Sequence, residues 1–257
     1  MKTKLYLLLF CVVALYAFSG CGDDDNNKSP YSQKIIGTWV SVETDGETVP
    51  TEETFINTFG SGSKEVYASV YKDLKEWVIE PECLYQLDDD IMYEKWTAED
   101  GTLSESKTRI SIEDNVMTCN VLQLIKNGVI QEDGESTYVL KKVTSDYSEE
   151  FVGLWKGKET TPGVTKSEVY FRFLEDGTYI YYYYIKSSDS YGVDDSGKYY
   201  LYGDFFASHW DDEVMGKGFE CWNFSIDGNT MNWKALKSDG KEVFFTLNRA
   251  SIAPVIK

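Results

Sequence analysis

Residues 224–250 read FSIDGNTMNWKALKSDGKEVFFTLNRA. The stretch is the end of one strand, a turn at Asp227-Gly228-Asn229, a second strand, a turn at Ser238-Asp239-Gly240 and a third strand. Gly and Asn accept the positive φ that tight β turns need, so such pairs between alternating apolar runs signal hairpins. The same grammar occurs in residues 110–143, where ISIEDNVMTC is followed by a longer excursion and then by STYVLKKV. Setting Ile112 on Ile226 also sets Met117 on Met231 and Trp96 on Trp210, each pair 114 positions apart. The chain reads as a duplicated β unit.

The 257 residues accommodate two such units, each of about 110 residues and large enough for a core of its own. Composition agrees: 42% apolar and 15% aromatic, and aromatic side chains pack well on pleated surfaces. The second repeat divides into eight strands, at 152–160, 167–174, 178–186, 197–202, 204–211, 218–226, 230–236 and 242–250. Short strands joined by tight turns form an antiparallel meander, and closing it into a barrel removes the exposed edges. In the first repeat, 64–71 answers 178–185 and 83–88 answers 197–202. Between them KDLKEWVIEPE, residues 72–82, is expected to form a short helix stopped before Pro81. Trp77 within it reads as a packing anchor ahead of a lid over a barrel mouth. The corresponding 187–196 reads as a polar loop. The link at 143–150 is short and polar, so the two units are expected to touch.

The repeats open alike, with Ile35-Ile36-Gly37-Thr38-Trp39-Val40 and Phe151-Val152-Gly153-Leu154-Trp155-Lys156. Gly-x-Trp on an opening strand resembles the signature of lipocalins and their small relatives. That resemblance implies a Gly that lets the chain enter tightly and a Trp that plugs one barrel end, here Trp39 and Trp155. It implies an all-β fold: two tandem eight-stranded antiparallel lipocalin-like barrels following a signal peptide and a flexible tether. The expected divisions are 1–20, 21–32, 33–146 and 147–257. Each repeat is shorter than a typical lipocalin, and the later motifs and C-terminal helix of that family are not apparent. A barrel filled by its own side chains therefore stands beside one that holds a ligand cavity.

At the N-terminus Lys2 and Lys4 precede an apolar run, 5–18, that is too short to span a bilayer. Ser19-Gly20-Cys21 follows and resembles the lipobox of bacterial lipoproteins. The resemblance implies cleavage before Cys21 and acylation there, with several acyl chains giving durable membrane anchoring. Asp23-Asp24-Asp25 resembles the surface-export signal of Bacteroidota lipoproteins, or else serves as a solvated acidic spacer. The expected location is the outer membrane, lipid-anchored and facing the medium. Formal net charge is −18, which repels phosphate backbones and argues against nucleic acid as a partner.

The search for reactive constellations is mostly negative. His209 is the one histidine; nothing around it makes a motif, and it reads as a surface or rim residue. There is no GxSxG, HExxH, Walker loop or GxGxxG. Cys83, Cys119 and Cys221 are widely spaced without a CxxC, which suits buried thiols better than a metal. The acidic clusters, such as Asp88-Asp89-Asp90, do not follow the spacing of a calcium loop. Neither catalysis, a cofactor nor a metal is expected.

The aromatic density of the second repeat is the strongest pointer to binding. Tyr179, Tyr181 and Tyr183 share one face of a strand and Tyr182 and Tyr184 the other. Tyr181, Tyr183, Trp210 and Trp222 are the candidate ligand contacts, since such rings offer an apolar body with a polar tip. Core filling and cross-strand pairing are the structural alternative. The function expected is an envelope binding protein for a small apolar or glycan ligand. The alternative is a non-catalytic structural or interaction subunit with filled barrels.

Overall fold

The computed structural model describes residues 29–97, 101–131, 134–212 and 216–256. The expected signal peptide, Cys21 and the tether as far as residue 28 lie outside them. In the first half the strands are β1 (Gly37–Thr44), β2 (Glu47–Thr48), β3 (Ile56–Phe59), β4 (Lys64–Tyr71), β5 (Glu76–Ile79), β6 (Cys83–Asp88), β7 (Ile91–Thr97), β8 (Leu103–Glu113), β9 (Val116–Lys126), β10 (Val129–Ile130) and β11 (Ser136–Lys142). Eight of them close into an antiparallel barrel in the order β1-β3-β4-β6-β7-β8-β9-β11, with β11 pairing back to β1. Short β2, β5 and β10 pair onto β1, β4 and β9.

A one-turn helix, α1 (Ser148–Phe151), leads into β12 (Gly153–Glu159), β13 (Val169–Phe173), β14 (Thr178–Ile185), β15 (Ser190–Tyr202), β16 (Phe205–Asp212), β17 (Gly216–Asp227), β18 (Thr230–Leu236) and β19 (Glu242–Arg249). These eight close a second antiparallel barrel in chain order. The period-two pattern shows why. In β18, Met231, Trp233 and Ala235 are buried while Asn232 and Lys234 face water.

Two expectations are corrected. Residues 72–82 are not a helix: a turn leads into β5, which hydrogen-bonds to the far half of β4. The free edge of β4 and the strand-forming Trp77-Val78-Ile79 outweigh the local helical pattern. Nor is 187–196 a loop, because β15 begins at Ser190 and forms a hairpin with β14. Its polar residues decorate a strand that pairs with β14 from Ser190 to Asp194. Pro81 makes the difference between the halves. It lacks an N–H and falls between β5 and β6, so one continuous strand of the second barrel is two in the first.

One end of each barrel is shut by the same device. Gly37 and Gly153 enter at φ 126° and 130°, conformations strained for any residue with a Cβ. Trp39 and Trp155 are both 0% exposed. Each indole N–H donates to the carbonyl four residues back, Ile35 at 2.7 Å and Phe151 at 2.8 Å. A cation from the last strand covers each ring: Lys142 Nζ at 5.1 Å from Trp39 and the Arg249 guanidinium at 4.0 Å from Trp155.

The barrels touch side by side. Val40, Ile56, Ala68 and Trp77 from the outside of the first bury against Phe205, Ala207 and Cys221 of the second, with Tyr200 and Tyr202 alongside. Trp77 is 3% exposed and sits as an anchor in this seam, its indole N–H donating to Tyr202 Oη at 3.2 Å. His209 is half-buried here, not on an open rim, and its Nδ1 accepts the Trp77 backbone N–H at 3.0 Å. Burial pushes its pKa below the usual imidazole value; Lys198 and Lys217 add to this and Glu76 opposes it. Trp77→Ala should cost about 3 kcal/mol or more and split one calorimetric unfolding transition into two as the barrels uncouple. A single transition shifted by less than about 1 kcal/mol would contradict an anchoring role.

Candidate ligand cavity

The barrels differ in what points inward. In the second, Phe171, Phe173, Tyr179, Phe206, Trp222 and Trp233 pack into one cluster. Rings interlock at 5.0 Å between Phe171 and Trp233, 4.9 Å between Phe206 and Trp233 and 5.5 Å between Trp222 and Trp233. The first barrel has Asn57, Phe59, Glu65, Met92, Thr108 and Cys119 at the matching positions. The replacements remove most of that ring volume, and a cavity of about 560 Å³ remains inside. Exposed Pro81, Glu82 and Thr97 mark its outer edge. It borders the seam where β4 and β6 pair over only Lys64–Leu84 and Glu65–Cys83.

One wall is aromatic. Phe55 lies against Tyr67 with ring centres 5.6 Å apart and planes 29° from parallel, and meets Tyr138 edge-on at 5.4 Å. Met92, Trp96, Val121, Leu124 and Leu140 extend the apolar lining.

Deeper in sits a polar group. Glu65 is only 2% exposed and is hydrogen-bonded to Glu94. Asn57 Nδ2 donates to Glu65 Oε1, Cys83 Sγ to Glu65 Oε2 at 3.3 Å, and Ser106 Oγ to Glu94 Oε2. Burial, reinforced by the neighbouring Glu94 carboxylate, pushes the Glu65 pKa well above the usual carboxylate range. Asn57 Oδ1 is buried beside this pair without a hydrogen-bond partner, a cost the hollow barrel carries.

Cys83 and Cys119 also line the cavity, and both are free thiols. Burial raises both pKa values, so neither is poised as a thiolate nucleophile. Among the described residues no group of three or more His, Cys, Asp or Glu is arranged to hold a metal ion. The arrangement can hold and orient a guest through hydrogen bonds and ring faces.

The four residues singled out from the sequence lie on the inward rows of the second barrel, and none lines this cavity. Tyr181 is stacked on Phe171 at 5.0 Å and packs against the core. Tyr183 neighbours it at 6.0 Å and lies across Gly192, where a Cβ would come within 2.4 Å of its ring. Trp210 covers Gly218 in the same way, at 2.1 Å. Trp222 is buried, its indole N–H donating to Glu220 Oε2 at 3.1 Å. The outward rings are occupied too: Tyr200 and Tyr202 meet the first barrel, and Tyr170, Tyr184 and Tyr191 form an edge-on ladder at 5.3 and 5.6 Å.

No protein-family model and no curated protein matches the chain. Several solved structures resemble it, two of them as follows. One is a double mutant of transferrin-binding protein B, a vaccine antigen from Haemophilus parasuis, at 10% identity over 77% of this chain and 54% of that one, with a TM-score of 0.24. The other is a Bacteroides fragilis protein described as an outer membrane protein, at 9% identity over 86% of this chain and 99% of that one, with a TM-score of 0.22. The chain thus spans about half the length of the first. At these scores neither likeness bears on function.

Glu65, Glu94 and Asn57 were not singled out from the sequence. The signal was there in the repeat alignment, where small or polar residues of one half face rings in the other. Glu65 also gives the cavity a pH signature. Between its ordinary pKa of 4.5 and its raised folded value, the folded chain holds a proton that the unfolded chain has lost. Its contribution is therefore complete below the ordinary value and is lost as pH rises through the folded one. Glu65→Gln should remove that dependence: relative to wild type, the variant should gain about 1 kcal/mol or more of unfolding free energy between pH 5 and pH 8. Parallel urea-midpoint curves for the two proteins would contradict the assignment.

Proposed function

We propose that the chain is an envelope lipoprotein, anchored through acyl chains on Cys21 at the outer membrane and facing the medium, that holds a small ligand inside its first barrel. One observation carries this reading: the first barrel is hollow where the second is filled. A volume of about 560 Å³ falls within the range of about 300–1,000 Å³ usual for small-molecule sites. The aromatic wall favours a ligand with an apolar body over a uniformly polar glycan. The role is binding without catalysis, since the buried thiols are raised in pKa and the one histidine is engaged between the barrels.

The second barrel fits the other role, a structural or interaction part with a filled interior. Its packed ring cluster makes it a rigid support against which the first barrel is fixed. On this reading Tyr181, Tyr183, Trp210 and Trp222 shape that support and its rim.

Native mass spectrometry of the full chain extracted from membranes tests the proposal. The spectrum should show acyl mass on Cys21 together with a small molecule released on collisional activation. Cys119→Trp, which copies Trp233 into the cavity, should keep the acyl mass and lose the guest. A chain without acyl mass contradicts the anchor, and a guest retained unchanged by Cys119→Trp contradicts the cavity as its site.

A further inference from the structure

The cavity is one-sided in charge. Its lining carries four glutamates, Glu65, Glu80, Glu82 and Glu94, and the described lining residues include no Lys, Arg or His. Glu82, at the outer edge, is paired with Lys64 at 2.6 Å. Deep inside, the hydrogen-bond donors to Glu65 and Glu94 are the uncharged Asn57, Cys83 and Ser106. A carboxylate or phosphate brought here would add negative charge to a buried acid pair with no cation to offset it. A neutral guest would leave the pair as it stands. A cation supplies what the wall lacks, and its ammonium N–H groups would make charge-assisted hydrogen bonds to carboxylate oxygens. A primary ammonium has three donors, and the Glu65–Glu94 pair on the cavity wall supplies carboxyl oxygens to accept from it. Above them the faces of Phe55, Tyr67 and Tyr138 suit both a flat apolar body and the positive end of an amine.

Resting on the binding role given above, we propose that the first barrel selects organic amines, taking the ammonium at the Glu65–Glu94 pair and the apolar body against the Phe55–Tyr67–Tyr138 wall. The second barrel has no counterpart of this site, because Phe171, Tyr179 and Ser208 stand where Asn57, Glu65 and Glu94 do in the first.

Calorimetric titration of the full chain at neutral pH with a graded series of primary amines up to tryptamine, and with tryptophol and indole-3-propionate, tests this directly. The last two keep the indole of tryptamine and change only the charge of the side chain. The amine should bind about tenfold or more tightly than the alcohol, and the carboxylate should give no heat of binding. Glu65→Gln and Glu94→Gln should each weaken the amine about ten- to hundredfold, the loss of one charge-assisted bond. Both are near-isosteric, and a cooperative melt with an unchanged native circular-dichroism spectrum would show that the fold is kept. Cys119→Trp should abolish binding. Alcohol or carboxylate binding as tightly as the amine, and lost in Cys119→Trp, would overturn amine selection while leaving the cavity role intact. Absence of binding by every amine would overturn it as well, and the releasable mass in native spectra would then decide the cavity role on its own.

Discussion

An eight-stranded antiparallel barrel encloses a nearly fixed cross-section, and the side chains that point into it either fill that space or leave it open. Two barrels of the same strand order make the comparison within one chain. Asn57, Glu65, Met92, Thr108 and Cys119 in the first stand where the second has Phe171, Tyr179, Phe206, Trp222 and Trp233. Neither solution is free of cost. The hollow barrel gives up ring-on-ring contact and buries an acid pair. The filled barrel buries a Trp233 indole N–H with no acceptor, a penalty of about 1–3 kcal/mol. The hollow barrel thus sets an acid pair and an aromatic wall around space that rings occupy in its twin.

The remaining architecture keeps that hollow in shape. Gly37 and Gly153 let each chain turn in so that Trp39 and Trp155 close one end, and a cation from the last strand clamps each ring. Closure at that end leaves the cavity to reach the surface near Pro81, where the missing N–H divides a strand that is continuous in the second barrel. β5 keeps the register of the continuous strand, with Trp77 against Val70 as Tyr191 is against Tyr184, and its Trp77 faces outward into the seam.

Much of this was legible in the sequence because it depends on local chemistry. Turn residues at 227–229 and 238–240 fix β18 at Thr230–Leu236, and the paired Gly-x-Trp openings mark where both barrels begin. Residues 72–82 and 187–196 were misread because their structure is set by a neighbouring strand: β4 and β14 recruit them through backbone bonds that the side-chain pattern does not reveal. The aromatic rows of the second repeat were visible, but whether inward rings fill a barrel or line a cleft depends on every strand at once. The acid pair was harder still. Glu65 and Glu94 come from strands separated by β5 and β6, and nothing in their spacing brings them together. His209 became an interface residue only because the other barrel docks on its face of β16.

The contrast between one hollow and one filled barrel can be read from pressure-dependent amide NMR of the full chain, since pressure disfavours internal voids in proportion to their volume. Amide signals of Ser106, Thr108 and Val121 around the cavity should shift and fade at lower pressure than those of Phe173, Trp233 and Leu247 in the second barrel. Simultaneous loss in both barrels, or earlier loss in the second, would contradict it.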